Sequence, residues 1–151
     1  MKYRGDLNTE KQNKKSLEID DMEISEILLT INNEDASIAN AVRTGLPEIE
    51  ETISYTVSSV KNGGRVFYVG AGTSGRLGVL DASEIPPTFS ASNNIFIGII
   101  SGGDKALRKS VEGAEDSEDA GFRDIEHFNL DENDTVIGIS CSGAASYVIS
   151  A

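Results

Sequence analysis

The sequence predicts an α/β fold: a parallel sheet wound with helices on both sides, preceded by amphipathic helices. Three observations predict it. Residues 66–69, 95–100 and 136–139 are short apolar runs rich in β-branched and aromatic residues, each bounded by glycines or a polar turn, as buried strands are. The stretches between them carry helical apolar spacing, and strand-helix alternation implies a parallel sheet with right-handed crossovers. The first run also leads through Gly70-Ala71-Gly72-Thr73-Ser74-Gly75 into Leu77, Val79 and Leu80, a strand, a glycine-rich turn and a helix in succession.

Each element has its own signal. Residues 1–16 are polar and lysine-rich with few apolar anchors, and read as a mobile arm. Residues 17–62 read as a helical segment. Ile24, Ile27, Leu28 and Ile31 keep the i, i+3, i+4, i+7 spacing of one helix face, which Asn32-Asn33 is expected to end. A second helix is expected from Asp35 through Ile38 and Val42 to Gly45. A third has Pro47 in its first turn and Ile49, Ile53, Val57 and Val60 on its buried face, and stops at Gly63-Gly64. Residues 63–151 form the sheet domain. Its first helix is expected to stop at Pro86-Pro87, because proline lacks the amide hydrogen and clashes with the preceding turn. The second strand closes in Ser101-Gly102-Gly103, followed by a helix from Asp104 carrying Leu107 and Val111, and by another holding Phe122, Ile125 and Phe128. The third strand runs into Ser140-Cys141-Ser142-Gly143. With three strands, one side of the sheet is unfinished, so the chain is expected to be the N-terminal half of a longer protein.

The glycine turn carries the chemistry. Glycines let the backbone approach a ligand, and the free amides at a helix N-terminus favour an anion there. Thr73 and Ser74 add hydroxyl donors and Arg76 adds charge, so the turn reads as a phosphate cradle. A dinucleotide site would need an acidic residue about 20 positions on. Position 95 is Ile, inside a strand, and the nearest acid beyond that strand is Asp104. A glycine turn with no ligand is the remaining alternative.

Composition narrows the partners. The 151 residues carry a formal net charge of -12, which argues against sequence-independent binding to nucleic acid or an anionic membrane. No apolar run has the length of a membrane span and the N-terminal stretch has no signal-peptide core, so a cytoplasmic location is expected. Cys141 is the only cysteine, leaving no intrachain disulfide and no CxxC metal pair; it reads as a small core residue. His127, the only histidine, reads as a surface or packing residue. Two carboxylates stand out by position, Glu84 before Pro86 and Glu115 in the acidic run after Val111. From the residues alone, Glu84 can equally be a solvated helix end and Glu115 part of a solvated acidic face.

The run GAGTSGRLGVLDASEIPPTF, with residues 98–103 (GIISGG) and 111–116 (VEGAED), closely resembles the signature of the N-acetylmuramic acid 6-phosphate etherases, which are built on the sugar isomerase (SIS) fold. The resemblance covers nearly the whole chain from about Leu17. It implies a flavodoxin-like strand order with the first and third strands adjacent, so that Thr73-Ser74 and Ser140-Ser142 face one crevice. It also implies an amino-sugar 6-phosphate as substrate, held by Gly72, Thr73, Ser74, Gly75, Arg76, Ser140 and Ser142. Glu84, at the end of DASE, and Glu115, in EGAED, are implied as the acid-base pair of a lyase, with Glu84 the proton donor. A homodimer is implied as well, whereas the chemistry requires no metal or other cofactor. The rival reading is a non-catalytic sugar-phosphate-binding module, or an inactive fragment of the etherase. The chain departs from the family pattern after the third strand, where Ala144 and Ala145 replace an arginine and a threonine and so remove two donors from the crevice.

Overall fold

The computed structural model describes Gly5 and residues 7–151. The expected N-terminal arm therefore lies partly outside the described residues. Its described part forms short 3-10 turns at Asn8–Glu10 and Lys14–Ser16, with a third turn at Ile19–Asp21. The chain divides into two compact units, residues 1–54 and 55–151.

In the first unit, one helix, α1 (Ile24–Thr44), stands where two were expected. The asparagines are weak helix formers but not breakers. The apolar spacing also continues in phase through Ile31, Ile38 and Val42, so nothing stops the helix before Gly45. Its start is fixed by the Glu26 side chain, which accepts from the Glu23 amide at 2.9 Å. No residue of α1 is buried. Helix α2 (Leu46–Lys61) has Pro47 in its first turn, as expected, where the missing amide hydrogen costs nothing.

The second unit contains a three-stranded parallel sheet in the order β2-β1-β3, formed by β1 (Val66–Gly70), β2 (Phe96–Ile100) and β3 (Thr135–Ile139). Val66 pairs with Phe96 on one side and with Thr135 on the other. Central β1 is the most deeply buried strand, with Val66 and Phe67 wholly inaccessible, whereas β2 and β3 are partly exposed. Helix α3 (Gly72–Phe89) covers one face. Gly98 and Gly78 permit the contact: an added Cβ would lie 2.6 Å from Val79 Cα at the first and 2.8 Å from Tyr68 Cβ at the second. The other face presents Phe67 and Val69 to Ile125 of α5 (Glu118–Glu126) and Tyr147 of α6 (Ser146–Ser150), with Ile97, Ile99 and Phe128 around them. The sheet is thus covered on both faces, the architecture of a doubly wound fold.

Two expectations about helix ends are corrected. Helix α3 passes through Pro86 and Pro87 to Phe89. The prolines fall in its last turn, where their missing amides leave two carbonyls without helix partners but only three residues remain to be wound. Helix α4 (Asp104–Arg108) ends earlier than its apolar spacing suggested, which places Val111 in the following loop. At the amino end of the sheet, Asp134 accepts from the Arg65 backbone amide at 2.7 Å and from its guanidinium at 2.6 and 3.1 Å. This pairing draws the Asp134 carboxyl down to about 2 and locks the entrances of β1 and β3 together.

Candidate phosphosugar site

The site begins where β1 ends. Gly70 and Gly75 meet so closely that a Cβ on Gly75 would lie 2.6 Å from the Gly70 carbonyl oxygen and 2.7 Å from Ile100 Cγ1. This approach turns the chain directly from strand into helix. The N-cap is Ala71, which has no side-chain acceptor, and Gly72 takes φ +56°, in the region that favours glycine. Thr73, Ser74 and Gly75 lie in the first turn of α3 itself. The leading amides of an α-helix have no intrahelical acceptor, and here no capping side chain covers them.

Beside this helix end lies a cavity of about 220 Å³. Ala71, Gly72 and Arg76 form one wall, and Ser110 to Glu115 the opposite one, with Ser101 and Ala106 between them. Arg76 is held by its Nε, which donates to the Leu107 carbonyl at 3.3 Å. The cavity opens beyond the carboxyl ends of β1 and β2, on the edge of the sheet where doubly wound folds bind ligands, beside the point between β1 and β3 where the winding reverses.

The structure thus brings Gly72, Arg76 and Glu115 to one cavity. Glu115 is exposed in a 3-10 turn, Ala114–Asp116, entered through Gly113 at φ +72°. Ser140 and Ser142 lie in the loop after β3, on the same edge of the sheet but outside this cavity. Ser140 Oγ accepts from the Gly143 amide and Ser142 Oγ from the Ala144 amide, each at 3.1 Å. Between that loop and the glycine turn, Ser74 Oγ and Cys141 Sγ stand 4.0 Å apart. Cys141 is exposed, not the core residue expected, because the chain has already left the sheet at Ile139. Glu84 does not line the cavity. It is exposed on α3, twelve residues beyond Gly72, or about 18 Å along the helix axis. His127 is exposed at the end of α5, its ring stacked on Phe128.

Sequence reasoning missed Ser101, Ser110 and Ala106. Ser101 is buried and its Oγ donates to the Ala114 carbonyl at 2.6 Å. The only signal is the Ser-Gly-Gly after the second strand, which by itself indicates no more than strand closure. Tyr68, in sequence only a strand residue, has a further role. Burial, followed by its hydrogen bond to Asp81, pushes its hydroxyl up to about 12, so it remains a neutral tie between β1 and α3. Among the described residues no group of three His, Cys, Asp or Glu is placed to hold a metal, and no helix is long and apolar enough to cross a membrane.

Residues 48–151 match the family described as the glucokinase regulatory protein N-terminal SIS domain. Among curated proteins, the chain is 54% identical over 149 residues to N-acetylmuramic acid 6-phosphate etherase 1 of Bacillus licheniformis, covering 99% of this chain and 49% of that protein. It is 50% identical to the N-acetylmuramic acid 6-phosphate etherase of Lactococcus lactis subsp. lactis (96% of this chain, 49% of the relative) and 53% identical to that of Bacteroides fragilis (87% and 48%). The chain spans about half the length of the curated relatives it matches.

Proposed function

From the premise that the chain belongs to the family of the glucokinase regulatory protein N-terminal SIS domain, we propose that it is the sugar-phosphate-binding half of a carbon-oxygen lyase. The substrate in this reading is N-acetylmuramic acid 6-phosphate, which the similar proteins are named for cleaving at its ether. The observation that carries the reading is the shared cavity, in which an ionisable carboxylate, Glu115, faces an arginine and an uncapped helix N-terminus.

In the open-chain sugar the C2 hydrogen is α to the aldehyde. A carboxylate base removes it, the C3–O bond to D-lactate breaks, and a proton from an acid reaches the departing oxygen. Water adds across the resulting double bond, giving N-acetylglucosamine 6-phosphate and D-lactate. In this reading Glu115 is one of these groups, supported by its place on the cavity wall, and Gly72, Thr73, Ser74, Gly75 and Arg76 are the anion's donors. Ser140 and Ser142, outside the cavity on the same edge of the sheet, are in this reading further donors to the sugar phosphate, while Ala144 and Ala145 contribute none. No step requires a metal or other cofactor, nucleic acid or a membrane.

Glu84 lies too far along α3 to meet a sugar that Glu115 touches in the same chain. Leu77 and Leu80, each 57% exposed, share its side of the helix. In our reading the second carboxylate comes from another copy, so the homodimer supplies Glu84 to the partner's cavity. The decisive experiment incubates the chain with N-acetylmuramic acid 6-phosphate and follows D-lactate. Release that Glu115→Gln and Glu84→Gln each reduce at least about a hundredfold supports the lyase. Absence of release, with the sugar phosphate still bound, rejects it in favour of a non-catalytic regulatory module. The regulatory description of the matching family is the one finding that favours that second reading.

A further inference from the structure

Resting on the lyase reading above, we propose that Ser101 is a positioning residue for Glu115, tying the glycine turn and the carboxylate to each other across the cavity. Ser101 follows the last residue of β2 and is 3% exposed. Its backbone amide donates to the Gly70 carbonyl at 3.0 Å, next to Ala71 and Gly72 on one wall. Its hydroxyl donates to the Ala114 carbonyl at 2.6 Å, next to Glu115 on the other. A single buried residue therefore bonds to both walls and fixes their separation.

The turn that carries Glu115 also packs against α6, but its own bonds hold it only weakly. It is a 3-10 turn of three residues, and such short turns do not persist on their own bonds. Those bonds are long: 3.2 Å from the Asp116 amide to Gly113 and 3.4 Å from the Ser117 amide to Ala114. A second anchor is apolar. Val111 packs over Gly102, where an added Cβ would come within 3.1 Å of Val111 Cβ, so the loop before Glu115 lies directly on the end of β2. The hydroxyl then sets where along that end the carboxylate sits. An alanine at 101 keeps the backbone bond and the packing but frees the Ala114 carbonyl, whereas threonine keeps the donor.

The test compares Ser101→Ala and Ser101→Thr with the unmodified chain in two measurements, amide hydrogen exchange and steady-state D-lactate release. For Ser101→Ala, exchange over residues 114–117 should accelerate about tenfold while the amides of β1, β2 and β3 keep their rates. At the same time kcat should fall about tenfold with KM within about twofold, because proton transfer loses its geometry and the anion donors do not. Ser101→Thr should restore both. Exchange that rises equally across the sheet marks a merely structural residue, and a KM that rises at unchanged kcat marks a binding one; either overturns the proposal. If the unmodified chain releases no D-lactate, the lyase reading fails, and the exchange measurement alone decides whether Ser101 holds the turn of Glu115.

Discussion

At the scale of single residues, the chain separates its ionic groups by task. Asp134 is locked to Arg65 at the amino end of the sheet, its side chain 2% exposed, whereas Glu115 stands open to the cavity at the carboxyl end. The first arrangement serves stability. With its carboxyl drawn from 3.8 down to about 2, Asp134 contributes stability that is complete above the unfolded value and disappears as pH falls through the folded one. Asp134→Asn should therefore cost about 2 kcal/mol at neutral pH. The gap from the parent should narrow between about pH 4 and pH 2 in chemical denaturation, and a gap independent of pH over that range would contradict the assignment. The pairing was not legible in the sequence, where Arg65 and Asp134 are flanking residues of separate strands and nothing in either neighbourhood names the other.

At the scale of elements, α3 depends on glycines for two unrelated reasons. Gly72 has open space around it and needs only its positive φ, while Gly98 on β2 has ordinary dihedrals but no room beside Val79. Gly72→Ala should cost about 1 kcal/mol through backbone strain. Gly98→Ala should cost about 1–3 kcal/mol, because helix and sheet must part. Thermal unfolding of both variants distinguishes the causes; an unchanged midpoint for Gly98→Ala would show that the helix yields freely. The glycine turn itself was readable because its spacing is local. The end of α3 was not, since a rule about proline gives the cost of continuing but not the packing of α3 on β1 and β2 that offsets it. The unbroken α1 teaches the same lesson: phase across Asn32-Asn33 outweighed two modest propensities.

At the scale of the whole molecule, apolar surface remains without a cover. Ile24 (76% exposed) and Leu28 (63%) lie on the apolar stripe of α1, and Leu77 and Leu80 on that of α3. Patches of this kind mark interfaces, in keeping with the proposed homodimer. Sedimentation should show a dimer that Leu77→Glu weakens. Mixing Glu84→Gln with Glu115→Gln chains should restore about a quarter of the D-lactate release, because half the dimers are mixed and each mixed dimer contains one intact site. If both glutamates acted within one chain, every site in the mixture would lack one of them and the mixture would stay inactive.

The sequence by itself determined the three strands, their alternation with helices and the glycine turn, because each is written in residues that are neighbours along the chain. The strand order implied by the family resemblance is the one observed, whereas tertiary structure alone decided the pairing of Arg65 with Asp134, the bond from Ser101 to the turn of Glu115, and the separation of Glu84 from that cavity. The physical reason is direction and distance. DASE follows the glycine turn closely in sequence, but a helix advances about 1.5 Å per residue away from its own N-terminus. The turn of Glu115, much later in the chain, returns to that N-terminus because β2 lies beside β1 and ends at the same edge of the sheet.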